Sequence, residues 1–148
     1  MEVVKIYTDG SYSSRTKKAG VGIVIPAHDY ELSEAFPYDN HTNQRAELYA
    51  VYRSLDVIAA NFKPVEVEVL IYTDSKYTIG CLTEWVPNWK RNGWRNAKGQ
   101  PVLNVDIIKP TLRLMEKYRV SFEHVLGHQG DLHNERADLL ARRGSGIA

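Results

Sequence analysis

Strand signals precede any helix signal in this chain, and afterwards helices and strands take turns, which predicts an α/β fold built on a mixed sheet. Three observations carry the prediction. Val3–Thr8, "VGIVIP" and "YELSEAF" are three β-rich runs with no helical periodicity between them. The stretch beginning at Gln44 places Leu48, Val51, Tyr52, Leu55, Ile58 and Ala59 on one helical face. "VEVEVLIYTD" then alternates Val65, Val67, Val69 and Ile71 with Glu66, Glu68, Leu70 and Tyr72, the strongest strand pattern in the sequence.

Taken in order, Val3–Thr8 reads as a buried strand, and "SYSSRTKKAG" as a polar loop. Pro26 ends the second strand, and the third is expected to run antiparallel. Thr42 and Asn43 are candidate N-caps for the helix from Gln44, which stops before Pro64. Ser75–Trp85 reads as helical, with Pro87 an interruption. "NWKRNGWRNAKGQP" is a basic, Gly-bearing stretch suited to projecting from the body. Val105–Lys117 is helical, with Pro110 marking a kink or a late start. "RVSFEHVLG" gives a fifth strand, and Asn134–Arg143 a last helix that Gly144 can terminate. Two strands joined through the first long helix should be parallel, with a right-handed crossover.

Composition narrows the function. At 148 residues, with 43% hydrophobic and 25% charged residues, the chain suits one soluble domain. No stretch has the apolar length of a membrane span, and "MEVVKIYTDG" lacks a signal-peptide pattern. Cys81 is the single cysteine, so an intramolecular disulfide is excluded and an intracellular, reducing compartment (cytoplasm or nucleus) is expected. Net charge is only +1, but its distribution is uneven. Between Lys76 and Gln100 stand Lys76, Lys90, Arg91, Arg95 and Lys98 against the single acid Glu84, interleaved with Trp85, Trp89 and Trp94. Arg15, Lys17 and Lys18 make a second basic cluster.

The chain writes nearly the same phrase twice, "IYTDG" at Ile6–Gly10 and "IYTDS" at Ile71–Ser75, each ending in an aspartate where a β-rich run gives out. Asp-Gly and Asp-Ser are common turn or cap pairs, so turn chemistry is one reading. The other is that neighbouring strands deliver Asp9 and Asp74 to one edge of the sheet, where ligands of α/β proteins gather. Glu47, early in the first helix, lies within reach of that edge. Asp138 breaks an apolar row of Ala137, Leu139, Leu140 and Ala141, which is costly unless something pairs it.

The ordered set TDGS, TNQRAEL, YTDS, NW-K-R-N-G-W, GH-x-G and NERAD resembles type 1 ribonucleases H over essentially the whole chain. The resemblance implies a ribonuclease H-like fold: a five-stranded mixed sheet, three strands antiparallel and then two parallel, with helices on both faces. It implies one catalytic domain over 1–143, a basic protrusion at about 85–101 and a short flexible tail at 144–148. It implies Asp9, Glu47, Asp74 and Asp138 as metal-binding catalytic carboxylates, two Mg²⁺ per site with substrate, and Mn²⁺ as a possible substitute. The activity implied is endonucleolytic hydrolysis of the RNA strand of RNA–DNA hybrids, leaving 5′-phosphate and 3′-hydroxyl ends. His128, in "GHQG", matches a histidine that assists proton transfer or product departure, not metal ligation. His28, His41, His124 and His133 match no such motif, and surface or packing roles are expected for them.

By the same resemblance, Asn43 and Gln44 approach the minor groove and Ser75 the RNA side, while Thr42 and Asn104 match a pocket for a DNA phosphate. Trp85 is placed against a DNA sugar with Tyr77 beside it, and Lys90 and Arg91 belong to the basic protrusion. Departures are local: "YSSRTKKAG" replaces a Gly-rich loop, and Gln44, Lys76 and Asn40 differ from common family residues. The expected molecule is a monomer with no membrane association and no obligate protein partner. A binding module without catalysis and a retroelement-derived domain are the alternatives.

Overall fold

The computed structural model describes residues 1–126 and 131–147. Its strands are β1 (Glu2–Ser13), β2 (Lys18–Ile25), β3 (Tyr30–Ala35), β4 (Val67–Thr73) and β5 (Arg119–His124). The helices are α1 (Asn43–Asn61), α2 (Lys76–Ile79), α3 (Val86–Arg91), α4 (Val105–Lys117) and α5 (Leu132–Gly144). The sheet order is β3-β2-β1-β4-β5; β1–β2 and β2–β3 are antiparallel, β1–β4 and β4–β5 parallel. This is the expected mixed sheet, and helices cover both faces.

Alternation along β1 separates the two layers. Val4 and Ile6 point to the α1 face, where they join Val21, Ile23, Val69, Ile71, Leu48, Val51, Leu55 and Ile58 in a buried core. Each such side chain, fully buried, contributes about 1.5–3 kcal/mol. Tyr7 points the other way and packs with Val24, Ala137, Leu140 and Tyr72 beneath α5. Helix α4 packs on α1, outside the first layer.

Several expectations need correction. β1 does not stop at Thr8; it runs through "SYS" to Ser13 because β2 pairs with it up to Ser13↔Lys18. The helix expected over Ser75–Trp85 is one α-turn followed by a π-turn, Gly80–Glu84. Pro87 does not interrupt a helix but occupies the first turn of α3, where its missing N–H costs nothing. Pro110 lies inside α4, whose ends are as expected; the carbonyl it leaves unpaired is that of the exposed Asp106.

The end of α5 and the residues after it are described as far as Ile147. Gly144 is the last residue of α5, and the left-handed residue is Gly146, at φ +91°. Ser145 is fully buried and its carbonyl accepts a 2.7 Å hydrogen bond from Thr16 Oγ1, so this residue is packed into the fold, while Gly146 is exposed. Among the described residues, no helix is long and apolar enough to cross a membrane.

Candidate active site

The repeated IYTD phrase is explained by register. Ile6 pairs with Ile71 and Tyr7 with Tyr72, so the two copies lie side by side on parallel strands. The two tyrosine rings stack at 4.5 Å, with planes 11° apart. Parallel pairing ends there. Asp74 leaves β4 immediately after Thr73, whereas Asp9 stays within β1, opposite Gly22 of β2. Both aspartates therefore emerge at the same edge, although only one of them ends a strand.

Glu47 reaches this edge from α1. Thr42 caps that helix, its side chain accepting from Arg45 N at 3.1 Å, which fixes where the first turn starts. Glu47 then accepts a short hydrogen bond from the backbone N–H of Gly10. Asp9, Glu47 and Asp74 each offer a carboxylate oxygen within 4.8 Å of the others. Asp9 is 6% exposed and Glu47 5% exposed.

Such crowding is electrostatically expensive. Two carboxylates ~4 Å apart repel by roughly 4 kcal/mol at an effective dielectric of 20. Burial, followed by the charge of Asp74, pushes the Asp9 carboxyl up to about 8. Burial and the charges of Asp9 and Asp74 hold Glu47 well above the usual carboxylate range. Asp138, on α5, stands at the rim: its carboxylate adds to the rise at Asp9, and Arg142 Nε lies 3.7 Å from its outer oxygen. Asp131 caps α5 by accepting from His133 N and Asn134 N at 2.9 and 3.1 Å. An all-oxygen set of acids that repel one another fits a hard divalent cation such as Mg²⁺.

The family profile for RNase H matches residues 1–146. This chain belongs to the ribonuclease H family. Ribonuclease H of Syntrophomonas wolfei is 41% identical over 143 residues, 96% of this chain and 95% of that protein. Human Ribonuclease H1 is 36% identical over 148 residues, 97% of this chain, which spans 50% of the human protein. Among solved structures, the foamy viral protease–reverse transcriptase in complex with an RNA/DNA hybrid superposes with a TM-score of 0.75 at 26% identity. That match covers 98% of this chain and 20% of the viral one. The acid cluster is thus the candidate catalytic centre of a ribonuclease H-family enzyme.

The remaining expected residues fall into two groups. Thr42, Asn43, Gln44 and Asn104 line one depression of about 480 Å³ beside the start of α1, together with Asn40 and with Arg45 and Leu103, which are not among the expected residues. Tyr77, Trp85, Trp89 and Trp94 form a chain of rings with centroids 6.0, 6.0 and 6.3 Å apart. Trp89 and Trp94 pack against the main core, and Lys109 Nζ sits 4.9 Å over the Trp94 ring. Trp85 is left 37% exposed, and Lys90 and Arg91 are exposed. Ser75 caps α2 by accepting from Thr78 N at 3.1 Å. His128 lies outside the described residues.

Arg45, inside TNQRAEL, makes a set of contacts beside the depression that the sequence alone does not reveal. Its guanidinium donates to both Asp106 oxygens at 3.0 and 2.8 Å, to Asn104 Oδ1 at 3.1 Å and to Asp39 O at 3.2 Å. Asn104, in a left-handed conformation at φ 65°, passes the link on by donating to Tyr77 Oη at 2.8 Å. Burial pushes that tyrosine up to about 12, so it stays protonated. One buried arginine therefore ties the depression to the aromatic chain. The other histidines make local contacts: His41 Nδ1 accepts from Ala19 N at 2.9 Å, His28 pairs with Glu2 at 2.7 Å, and His133 lies against Tyr7. His124 does slightly more, its ring nitrogen lying 3.2 Å from the Asp74 carbonyl at the end of β4.

Proposed function

We propose that this protein is an endonuclease that hydrolyses the RNA strand of RNA–DNA hybrids with two divalent cations, leaving 5′-phosphate and 3′-hydroxyl ends. The observation that carries the proposal is the meeting of Asp9, Glu47 and Asp74 within 4.8 Å, two of them with strongly raised carboxyl pKa values. Acids so arranged are held for a cation, because in its absence they favour protonation over charge. Asp9, Glu47, Asp74 and Asp138 would hold Mg²⁺, which when bound activates water and offsets charge on the leaving oxygen.

The chain's own residues supply the rest. Gly10 N–H fixes the Glu47 carboxylate, and the parallel register fixes Asp9 beside Asp74. Thr42, Asn43, Gln44 and Asn104 receive one strand's backbone in the depression, while Trp85 lies against a sugar, with Tyr77 behind it and Lys90 and Arg91 toward phosphates. Ser75 faces the RNA side, and His128 assists proton transfer or product departure. Contacts to phosphates position the duplex, and those to the 2′-hydroxyl select RNA.

Labelled RNA–DNA hybrid, RNA duplex and DNA duplex, each incubated with and without Mg²⁺, test this directly. Cutting confined to the RNA of the hybrid and dependent on the cation is the expected result. Tight hybrid binding without any cutting would leave a binding module instead.

A further inference from the structure

The turn between β1 and β2 carries charge that its backbone geometry does not call for. Ser13 pairs with Lys18, so residues 14–17 form the turn, closed by Lys17 N donating to Ser13 O at 2.7 Å. Lys17 has φ 59°, the left-handed region that a glycine enters freely and a lysine does not. A lysine in this conformation carries backbone strain that a glycine would not. Arg15, Lys17 and Lys18 are all exposed, and none of the three forms an ion pair with another described residue.

The turn is also fixed in place. Thr16 N donates to Ser13 Oγ at 3.1 Å, and Thr16 Oγ1 donates to the carbonyl of the buried Ser145 at 2.7 Å. That second bond joins the turn to the end of α5, whose last turn carries Arg142 and Arg143. Arg142 Nε lies 3.7 Å from Asp138 at the rim of the acid cluster, and the charge of Arg143 reaches Glu31. A basic surface is thereby anchored to the helix that supplies one of the four acids.

Its distance from the acids suits a duplex. From Asp9 to Ser13, β1 advances four residues, about 14 Å at ~3.4 Å per residue. Along a nucleic-acid strand that is roughly four nucleotides at ~3.4 Å each. We propose that the Arg15–Lys18 turn is a second phosphate-binding surface for the same RNA–DNA hybrid, meeting its backbone about four base pairs from the cleaved bond on the α5 side. The proposal rests on the hybrid reading above. Such a surface adds affinity and fixes the direction of the duplex without reading its bases.

The test is the salt dependence of hybrid binding, followed by fluorescence anisotropy on the full chain with divalent cations chelated so that nothing is cut. Removing one cation that neutralises a phosphate should reduce the slope of log K against log salt by about 0.9. The Arg15→Ala/Lys17→Gly/Lys18→Ala variant should lower the slope by about 2–3 and bind at least ~10-fold more weakly at low salt. Arg15→Ala alone, should the triple variant fold poorly, should lower it by about 0.9. Lys63→Ala, at the other end of the sheet, should match wild type. Wild-type slopes and affinities in folded turn variants would overturn the proposal while leaving the hybrid reading intact. A wild-type chain that neither binds nor cuts the hybrid would remove both.

Discussion

Glu47 is held to β1 by the backbone of Gly10: its carboxylate accepts from the Gly10 N–H, while the Cα of Gly10 lies against the first turns of α1. A β-carbon at position 10 would come 2.4 Å from Glu47 N and 2.5 Å from Ala46 C, both main-chain atoms that cannot step aside. The same glycine thus gives α1 its close approach and gives Glu47 its orientation. The acid cluster exists because helix and strand touch there backbone to backbone.

Gly10→Ala should therefore damage fold and site together. The strain should cost roughly 3 kcal/mol or more, since the clash is with backbone and not with a flexible side chain. Denaturant unfolding measures that loss. Hybrid cleavage should fall further than stability alone explains, because α1 can relieve the clash only by carrying Glu47 away from Asp9. A variant of wild-type stability and rate would show that helix and strand have slack between them at this point.

Asp9 makes the metal-free protein sensitive to pH in a defined direction. Its carboxyl is raised to about 8 in the folded chain against 3.8 for the free group, so folding takes up a proton between those values. The stability this group contributes is complete below about pH 4 and is lost as the pH climbs through about 8. Glu47 acts in the same direction. In chelator, wild-type melting temperature should fall as pH rises across this window, and Asp9→Asn should flatten the fall and melt higher at pH 8. Mg²⁺ should restore wild type more than the variant, whose turnover should drop at least ~1000-fold, equivalent to about 4 kcal/mol. Parallel melting profiles for the two proteins would mean that the Asp9 carboxyl is not under repulsion.

Legibility in the sequence follows the range of the interactions. Strands, long helices and caps are readable because alternation, 3.6-residue spacing and Thr42 are local signals. The IYTD echo is readable as well, and its register (Ile6 beside Ile71) is what the repeat encodes. The far half of β1 is not, since Gly10, Ser11 and Ser13 have poor strand propensity and are extended only because β2 pairs with them. Ser145 reads as tail because nothing near it in sequence announces Thr16. Arg45 is hidden for the same reason, its partner Asp106 lying 61 residues away.

Arg45→Lys should separate the depression beside α1 from the acids. Lysine cannot reproduce the paired bonds to Asp106 together with those to Asn104 and Asp39. Asp106 is more than half exposed, so water replaces part of what is removed, and a cost of about 1–2 kcal/mol is expected. Loss of the Asn104–Tyr77 link should appear as a raised KM for hybrid with a smaller change in kcat. Equal loss of both constants would place Arg45 in the chemistry instead of in holding the duplex.

Trp85 offers the sharpest division between packing and binding. Its neighbours Trp89 and Trp94 are partly buried against the core, yet Trp85 keeps 37% of its surface open. Gly80 leaves room for the ring, as a β-carbon there would come 2.6 Å from its Cη2. Trp85→Ala should raise KM by about 10-fold, in line with ~1–3 kcal/mol for an aromatic platform under nucleic acid, and lower stability by less than a buried tryptophan would. Gly80→Ala retains the indole but pushes it off its seat, so it should raise KM in the same direction. If the alanine at 85 destabilises the fold while KM stays at the wild-type value, the ring is part of the core and the sugar contact must be assigned elsewhere.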